Sequence, residues 1–489
     1  MAKQDKRGSP KREAMSKVDT AWLRMERDTN PMMITGVLMF AEALSLDELK
    51  RIIRSRFLAY ARFRQRAVDS GAGALWLDDD AFDLDWHVQS MALAGRSPGK
   101  RALERLAGTL ASTPLDKARP LWQFHLVEQY RGGSAVIARI HHCYADGIAL
   151  VQVLLSLTDT APEAGRDEDL ANAWLKQDGA GVARRVGAVQ RYTRLGGKML
   201  GKGMEMVQDP SLAAVLAKEG GEIGKELLQA LALPDDPATL LRGRLGTRKR
   251  VAWAEPLCLD EVKAVGRACG CTVNDVLMAV AAGALRAYLQ SRGEPVDGLS
   301  LRATVPVNLR PLEHARKLGN HFGLVFLDLP VGEDNPIRRV EYVAECMKQL
   351  KNSRQAIVAY GLLAALGMAP QPLQEMALEL FSRKATAVAT NVPGPQQPLY
   401  LAGRRVDEMM FWVPQTGSIG LGLSILSYNN RVHFGLIGDG RLVPDPDAVA
   451  NRFQPQFETL LYLALMGGWD RDFDSTDAEA VLRSYVLSP

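Results

Sequence analysis

The chain has 489 residues, 47% of them hydrophobic and 24% charged, with a formal net charge of +4 and a pI near 8.7. This length is ample for two cores of about 200 residues each. So mild a basic excess, with no dense basic stripe and no recognition motif, argues against a nucleic-acid binder and suits anionic small molecules or an anionic membrane surface better.

The first fourteen residues are polar and basic with no apolar core. They read as a disordered tail over 1–14 and not as a signal peptide. A mixed αβ unit is expected over 15–165, where Met15 to Gln89 reads as helix, strand, helix, strand. Thr35 to Ala43 is a β-type run, and Leu46 to Ala59 has helical spacing with Ser45 as its N-cap. A short helix follows over Leu103 to Ala111. Pro120-Leu121-Trp122 opens a strand through Val127, and Ala135 to Ile140 is its neighbour across the Arg131-Gly132-Gly133 turn. A helix after Gly147 ends the unit near Leu157.

Glycines, charges and amphipathic helix fragments alternate over 166–245, a helical linker. Within it, Val182 to Met206 sets Arg184, Arg185, Arg191, Arg194, Lys198 and Lys202 beside Val186, Val189, Leu195, Met199 and Met204. A connecting helix with one solvated face fits this pattern better than a basic face for anionic lipid. A second αβ unit spans 246–489. There Thr272-Val273-Asn274-Asp275 precedes an Ala/Val/Leu helix to Leu289, and Leu299 to Val307 and Phe322 to Leu329 are strands. Tyr428-Asn429-Asn430-Arg431 joins two β-type runs, Leu421 to Ser427 and Val432 to Ile437, as a hairpin.

Five scattered cysteines, Cys143, Cys258, Cys269, Cys271 and Cys346, fit a reducing cytoplasm and no disulfide framework. Cys269-Gly270-Cys271 has no second Cys/His pair at ligand spacing, so it reads as small buried residues and no metal is expected. No window of about 18 consecutive apolar residues occurs, so any membrane contact would be made from the surface.

The densest chemistry lies in His141-His142-Cys143-Tyr144-Ala145-Asp146-Gly147. A strand delivers two histidines to a turn, and Gly147 then opens a largely apolar run. A neutral imidazole can take a proton from an alcohol as that oxygen attacks an acyl carbon. Its usefulness depends on a fixed ring. Asp146 is placed either to orient that ring or to turn away and anchor the loop on an arginine, and the spacing leaves both open. Gly147 permits a close backbone approach or a positive φ. A metal site on His141, His142 and Asp146 is disfavoured, because strand neighbours point to opposite faces.

This stretch resembles the His-His-x-x-x-Asp-Gly motif of condensation-type acyltransferases related to chloramphenicol acetyltransferase. Within that superfamily the chain is similar, nearly end to end from Met15-Ser16-Lys17-Val18-Asp19, to the bacterial bifunctional wax ester synthase/acyl-CoA:diacylglycerol acyltransferases. Pro120-Leu121-Trp122, Asn274-Asp275, Asn391 to Pro395 and Leu421 to Asn429 match further motifs of that family in order. The resemblance implies a mixed αβ fold of two chloramphenicol-acetyltransferase-like domains, a pseudo-dimer around a central channel. It implies His142 as general base, direct transfer without a cofactor, and acyl-CoA with a long-chain fatty alcohol or diacylglycerol as substrates. Asp146 becomes structural by the same resemblance, tied to an arginine among Arg62, Arg64 and Arg66, with Arg64 preferred. The place of work is then the cytoplasm, or peripherally the inner face of the membrane or a lipid droplet.

The remaining motif residues have plainer explanations. Thr272-x-x-Asp275 has the form of a capping box, which explains Asp275 without catalysis. Asn274 either orients a substrate or stiffens a domain junction, and Pro120-Leu121-Trp122 shapes the core. Asn391 lies in a turn by composition, its closeness to the thioester coming from the resemblance alone. Asn320-His321 sits before a strand as a core or rim pair, and Arg248-Lys249-Arg250 reads as a solvated charge run more than a coenzyme A contact. An oxyanion donor is required by the chemistry but has no sequence signature. Two rivals stand beside the leading reading: a condensation domain fed by carrier proteins, and a non-catalytic lipid-binding or droplet-coating protein.

Overall fold

The computed structural model describes residues 12–71, 73–95, 99–162, 232–309, 318–353 and 355–466. Two main sheets are built, in chain order, from β1 (Met33–Phe40), β2 (Val88–Ser90), β3 (Trp122–Tyr130), β4 (Gly133–His141), β5 (Lys249–Trp253) and β6 (Leu301–Asn308). They continue with β7 (Phe322–Leu329), β8 (Ala387–Pro393), β9 (Glu408–Trp412), β10 (Leu421–Tyr428) and β11 (Arg431–Asp439). The principal helices are α1 (Lys17–Arg24), α2 (Leu46–Ile52), α3 (Lys100–Ser112), α4 (Gly147–Ser156), α5 (Leu259–Ala268), α6 (Val273–Ser291), α7 (Pro336–Asn352), α8 (Gln355–Leu366) and α9 (Gln371–Ser382).

The first sheet runs β9-β1-β4-β3-β2 and the second β7-β6-β8-β10-β11-β5, with the short strand Leu257–Cys258 also pairing with β11. In the first sheet β4 is central, antiparallel to β1 with Met33 opposite His141 and to β3 with Trp122 opposite Ile140. Every residue of β1 and of β4 is buried, which is why their sequences are nearly continuous apolar runs. The β3–β4 turn places Arg131 and Gly132 at φ 51° and 86°, the left-handed pair that a two-residue hairpin needs. Asn429 and Asn430, at 48° and 58°, do the same between β10 and β11.

Helix starts follow the sequence closely. Ser45 caps α2 in a capping box with Glu48, and Thr272 caps α6 in one with Asp275. Beyond Ile52 the expected helix loosens into a π-helical turn, Ile53–Phe57. One core packs the first sheet with α1, and Phe322, Leu363 and Leu378 join it from the second half of the chain. A second core encloses α6. A third, with Trp253 and Trp412, fills the space between the first sheet, α3 and β5.

Three expectations need correction. Arg12–Ala14 is a strand paired with Ala74–Asp78, so residues 12–14 are not part of a disordered tail; residues 1–11 lie outside the described residues. The N-terminal unit is not built from 15–165 alone, because β9 from the second half supplies an edge strand of its sheet. Lys249 is not solvated: it is buried at the junction, where its Nζ donates to Asn30 Oδ1 with Asp439 3.9 Å away. Most of the linker expected over 166–245, including 182–206, lies outside the described residues.

Candidate active site

The end of β4 delivers both histidines, and the chain then turns sharply into α4. His141 and His142 meet different surroundings. His141 is fully buried, and its Nδ1 accepts the main-chain N–H of Cys143 at 3.1 Å. That bond places the proton of the neutral ring on Nε2, which faces Glu26 at 3.8 Å. His142 turns the other way. Trp22 of α1 stacks on its ring with centroids 4.1 Å apart, and Phe322 of β7 lies tilted at 5.7 Å.

The loop itself is held from both halves of the chain. His142 donates its main-chain N–H to Met32 O at 2.7 Å. Residues 318–321 run alongside from the second half. Gly319 N–H donates to Tyr144 O at 3.0 Å, Asn320 Nδ2 to His142 O at 2.8 Å, and His321 N–H to Asp146 Oδ2 at 3.1 Å. Gly319 adopts φ +115° to make this approach, a conformation that disfavours a side chain. Asn320 is braced in turn by Asp19 of α1, whose Oδ1 accepts from Nδ2 at 2.7 Å and from the main-chain N–H at 3.0 Å.

Burial sets the protonation states. It depresses His142 to about 4, outweighing the opposing pull of Asp146, and depresses His141 to about 3. Both rings are therefore neutral at pH 7. Burial pushes the Cys143 thiol well up, which makes it a poor nucleophile. It also raises the Asp19 carboxyl to about 6. The arrangement therefore offers a neutral imidazole, gripped at its main chain from both sides, and no activated thiol beside it.

Comparison with known proteins gives this geometry its context. Residues 15–277 match the model of the wax ester synthase/diacylglycerol acyltransferase catalytic domain, and 318–461 match that of the WS/DGAT C-terminal domain. The chain belongs to the wax ester synthase/diacylglycerol acyltransferase family. It is an acyltransferase. The Mycobacterium tuberculosis protein tgs1, named a probable diacylglycerol O-acyltransferase, is 29% identical over 411 residues, 82% of this chain and 84% of its own. The similarly named tgs2 of that organism is 29% identical over 441 residues, 87% of this chain and 94% of its own. A solved wax ester synthase/diacylglycerol acyltransferase from Marinobacter aquaeolei shares the fold at TM-score 0.64 and 23% identity, over 93% of this chain and 100% of its own. The first condensation domain of the calcium-dependent antibiotic synthetase shares it at TM-score 0.56 and 16% identity, over 94% and 97%.

The other family motifs fall into two groups. Pro120-Leu121-Trp122 supports the motif loop directly. Leu121 O accepts His141 N–H at 3.0 Å, and Leu121 N–H donates to the Tyr144 hydroxyl at 3.1 Å. Trp122 is fully buried, donates Nε1–H to Phe63 O at 2.8 Å and stacks on His87. Asn274 and Asn391 meet each other instead: Asn391 Nδ2 donates to Asn274 Oδ1 at 2.8 Å, tying α6 to β8. Asp275 is taken up by the capping box, its Oδ2 accepting Thr272 N–H at 2.9 Å. Gly147 is the first residue of α4.

Arg64 does not hold Asp146. It is exposed at the end of a short 3-10 turn, while Arg62 pairs with Glu13 and Arg66 faces Asp79. The reason is local: the chain passes from that turn into the strand Gln65–Asp69, which leaves Arg64 exposed and turns Arg62 and Arg66 to Glu13 and Asp79. Trp22, Tyr144, Asp19 and Asn320 were missed as site residues. Tyr144 lay within the motif, Asp19 ended the N-terminal stretch that resembles the family, and Asn320 was read as part of a core or rim pair; Trp22 carried no signal.

Proposed function

We propose that the enzyme transfers a fatty acyl group directly from acyl-CoA to a long-chain alcohol or to diacylglycerol, with His142 as general base and no cofactor. The observation that carries this reading is the neutral, buried His142 at the strand end beside a protonated Cys143. The hydroxyl gives its proton to the imidazole as its oxygen bonds to the thioester carbon. The tetrahedral intermediate then collapses, the carbon–sulfur bond breaks, and the imidazolium returns the proton to the leaving thiolate. Asp146 serves as scaffold by gripping residues 318–321.

Both acceptors are poorly soluble, so we place the reaction at a membrane or droplet surface reached from the cytoplasm. Among the described residues no single helix is long and apolar enough to cross a membrane. The exposed Leu373, Met376 and Leu380 of α9 offer an apolar stripe for such contact.

The test is purified protein with palmitoyl-CoA, offered hexadecanol and a diacylglycerol in competition. We expect ester products from both acceptors, coenzyme A release that needs an acceptor, and no turnover by a folded His142→Ala variant. Retained turnover in that variant, or an isolable acyl-enzyme, would overturn the mechanism.

A further inference from the structure

Cys269-Gly270-Cys271 takes no part in the proposed acyl transfer. It forms the corner between α5 and α6, where the chain turns through 97°. The corner is a Schellman cap: Cys271 N–H donates to Gly266 O at 2.8 Å and Gly270 N–H to Arg267 O at 3.3 Å. Gly270 allows it with φ +62°, a left-handed backbone that glycine takes without strain.

The cap brings the two flanking side chains together. Across so tight a turn, Cα atoms two residues apart stay about 5–6 Å from each other, within the span of a disulfide. The thiols are already in contact, the Cys271 S–H donating to the Cys269 sulfur. Both residues are half-buried, where the sequence suggested full burial, and so lie open to a small solute. All five cysteines are free, but their settings differ. Cys143 is fully buried with its thiol pushed well up, and burial also raises Cys346. Cys258 stands at the far end of α5, about 15 Å away along a ten-residue helix. The hydrogen bond from Cys271 instead holds the Cys269 thiol below its ordinary value, and the same bond holds Cys271 above it. A thiolate favoured beside a protonated partner is the setting of an attacking and a resolving cysteine.

We propose that Cys269 and Cys271 form a peroxide-sensitive pair, in which Cys269 attacks a hydroperoxide and Cys271 resolves the product to an intramolecular disulfide. The Cys269 thiolate bonds to one peroxide oxygen, the O–O bond breaks, and the other oxygen leaves as an alcohol or water after taking a proton. The Cys271 sulfur then bonds to the sulfenic acid sulfur, the S–O bond breaks, and the hydroxyl leaves as water with the Cys271 proton. The two thiols lose two electrons and two protons in all, and the peroxide gains the same two electrons. In a reducing compartment such a disulfide is transient, because small thiols exchange with it.

The test treats the reduced full chain with hydrogen peroxide, alkylates it in denaturant and digests it with trypsin. The peptide 268–286 holds both cysteines. It should become lighter by two hydrogens and take no alkylating agent, and dithiothreitol should reverse both changes. Cys143, Cys258 and Cys346 should remain alkylatable throughout. In Cys271→Ser, dimedone should trap a sulfenic acid on Cys269; in Cys269→Ser, Cys271 should stay a thiol. A pair that stays reduced, or oxidation of Cys258 or Cys346 at the same rate, overturns the inference. So does dimedone on Cys271 in place of Cys269, or a disulfide formed between two chains. The wild-type measurement needs no substitution, so it decides the matter even if a variant does not fold. Turnover by His142→Ala would overturn the proposed function and leave this result untouched.

Discussion

The two sides of the β4 end carry adjacent histidines of opposite character. Behind the strand, His141 spends Nδ1 on the Cys143 amide and turns Nε2 toward Glu26, itself paired with Lys117. In front, His142 is stacked by Trp22 and held at its carbonyl by Asn320, with no partner among the described residues for Nδ1. Equal burial thus does not mean equal role. The rear ring spends Nδ1 on closing a turn, and its Nε2 lies 3.8 Å from Glu26 without a hydrogen bond among the described residues. The front ring is gripped through its main chain and its faces, which leaves ring nitrogen chemistry available. Under the proposed function, doubling the histidine would separate support from catalysis in two consecutive residues.

The sharpest way to break this contrast is to remove each ring in turn. His142→Ala should take turnover below detection, a loss at or beyond the usual worth of a general base of about 10²- to 10⁴-fold, while thermal melting stays near wild type. Trp122→Ala should strike both sides together, because Trp122 packs β3 beside β4. A loss of about 3–5 kcal/mol in denaturant stability is expected, and unchanged stability would deny it a supporting role. His141→Ala leaves the buried Cys143 amide without its acceptor. It should cost about 1–3 kcal/mol of stability and much less in kcat than His142→Ala; the reverse pattern would exchange the two roles.

The smallest effect is in the pH profile. Burial lowers His142 from its ordinary value to about 4, so the neutral base persists as pH falls through 6.5. The kcat/KM of the free enzyme should stay flat from pH 7 to about 5.5 and drop only towards 4. A break near 6.5 would show that His142 is not held in its buried setting. Stability follows its own signs. The unfolded chain binds more protons at both histidines below 6.5, so their contribution falls as pH drops. Asp19, raised to about 6, acts oppositely, its contribution being fullest below 3.8 and lost as pH rises through 6.

Much of this was legible in the sequence, because the deciding signals were local. Ser45 and Thr272 announced helix starts through the spacing of a side-chain acceptor and an acidic residue three places on. The Asn429-Asn430 pair announced a hairpin, since these residues tolerate the left-handed backbone. The strand ending in His141-His142, and the core role of Trp122, were likewise local. What could not be read were contacts with no fixed sequence offset. Arg64 looked as suitable as any arginine for Asp146, yet it lies exposed at the end of a short 3-10 turn. Asn320 looked like a residue merely preceding a strand, yet it is 178 positions from His142 and bonded to it.

Taken by itself, the sequence determined many element types, the mixed αβ fold and the family, and it singled out His142 as a candidate. Each depends on periodicity, caps or a short ordered motif. Only the tertiary structure decided that β9 crosses into the first sheet, that Lys249 is buried, and that residues 318–321 clamp the motif loop against α1. Those outcomes depend on which distant segments bury one another's polar groups. Whether a buried amide finds its acceptor on Asp19 or elsewhere is settled by packing across the whole chain, and no short stretch of it encodes that choice.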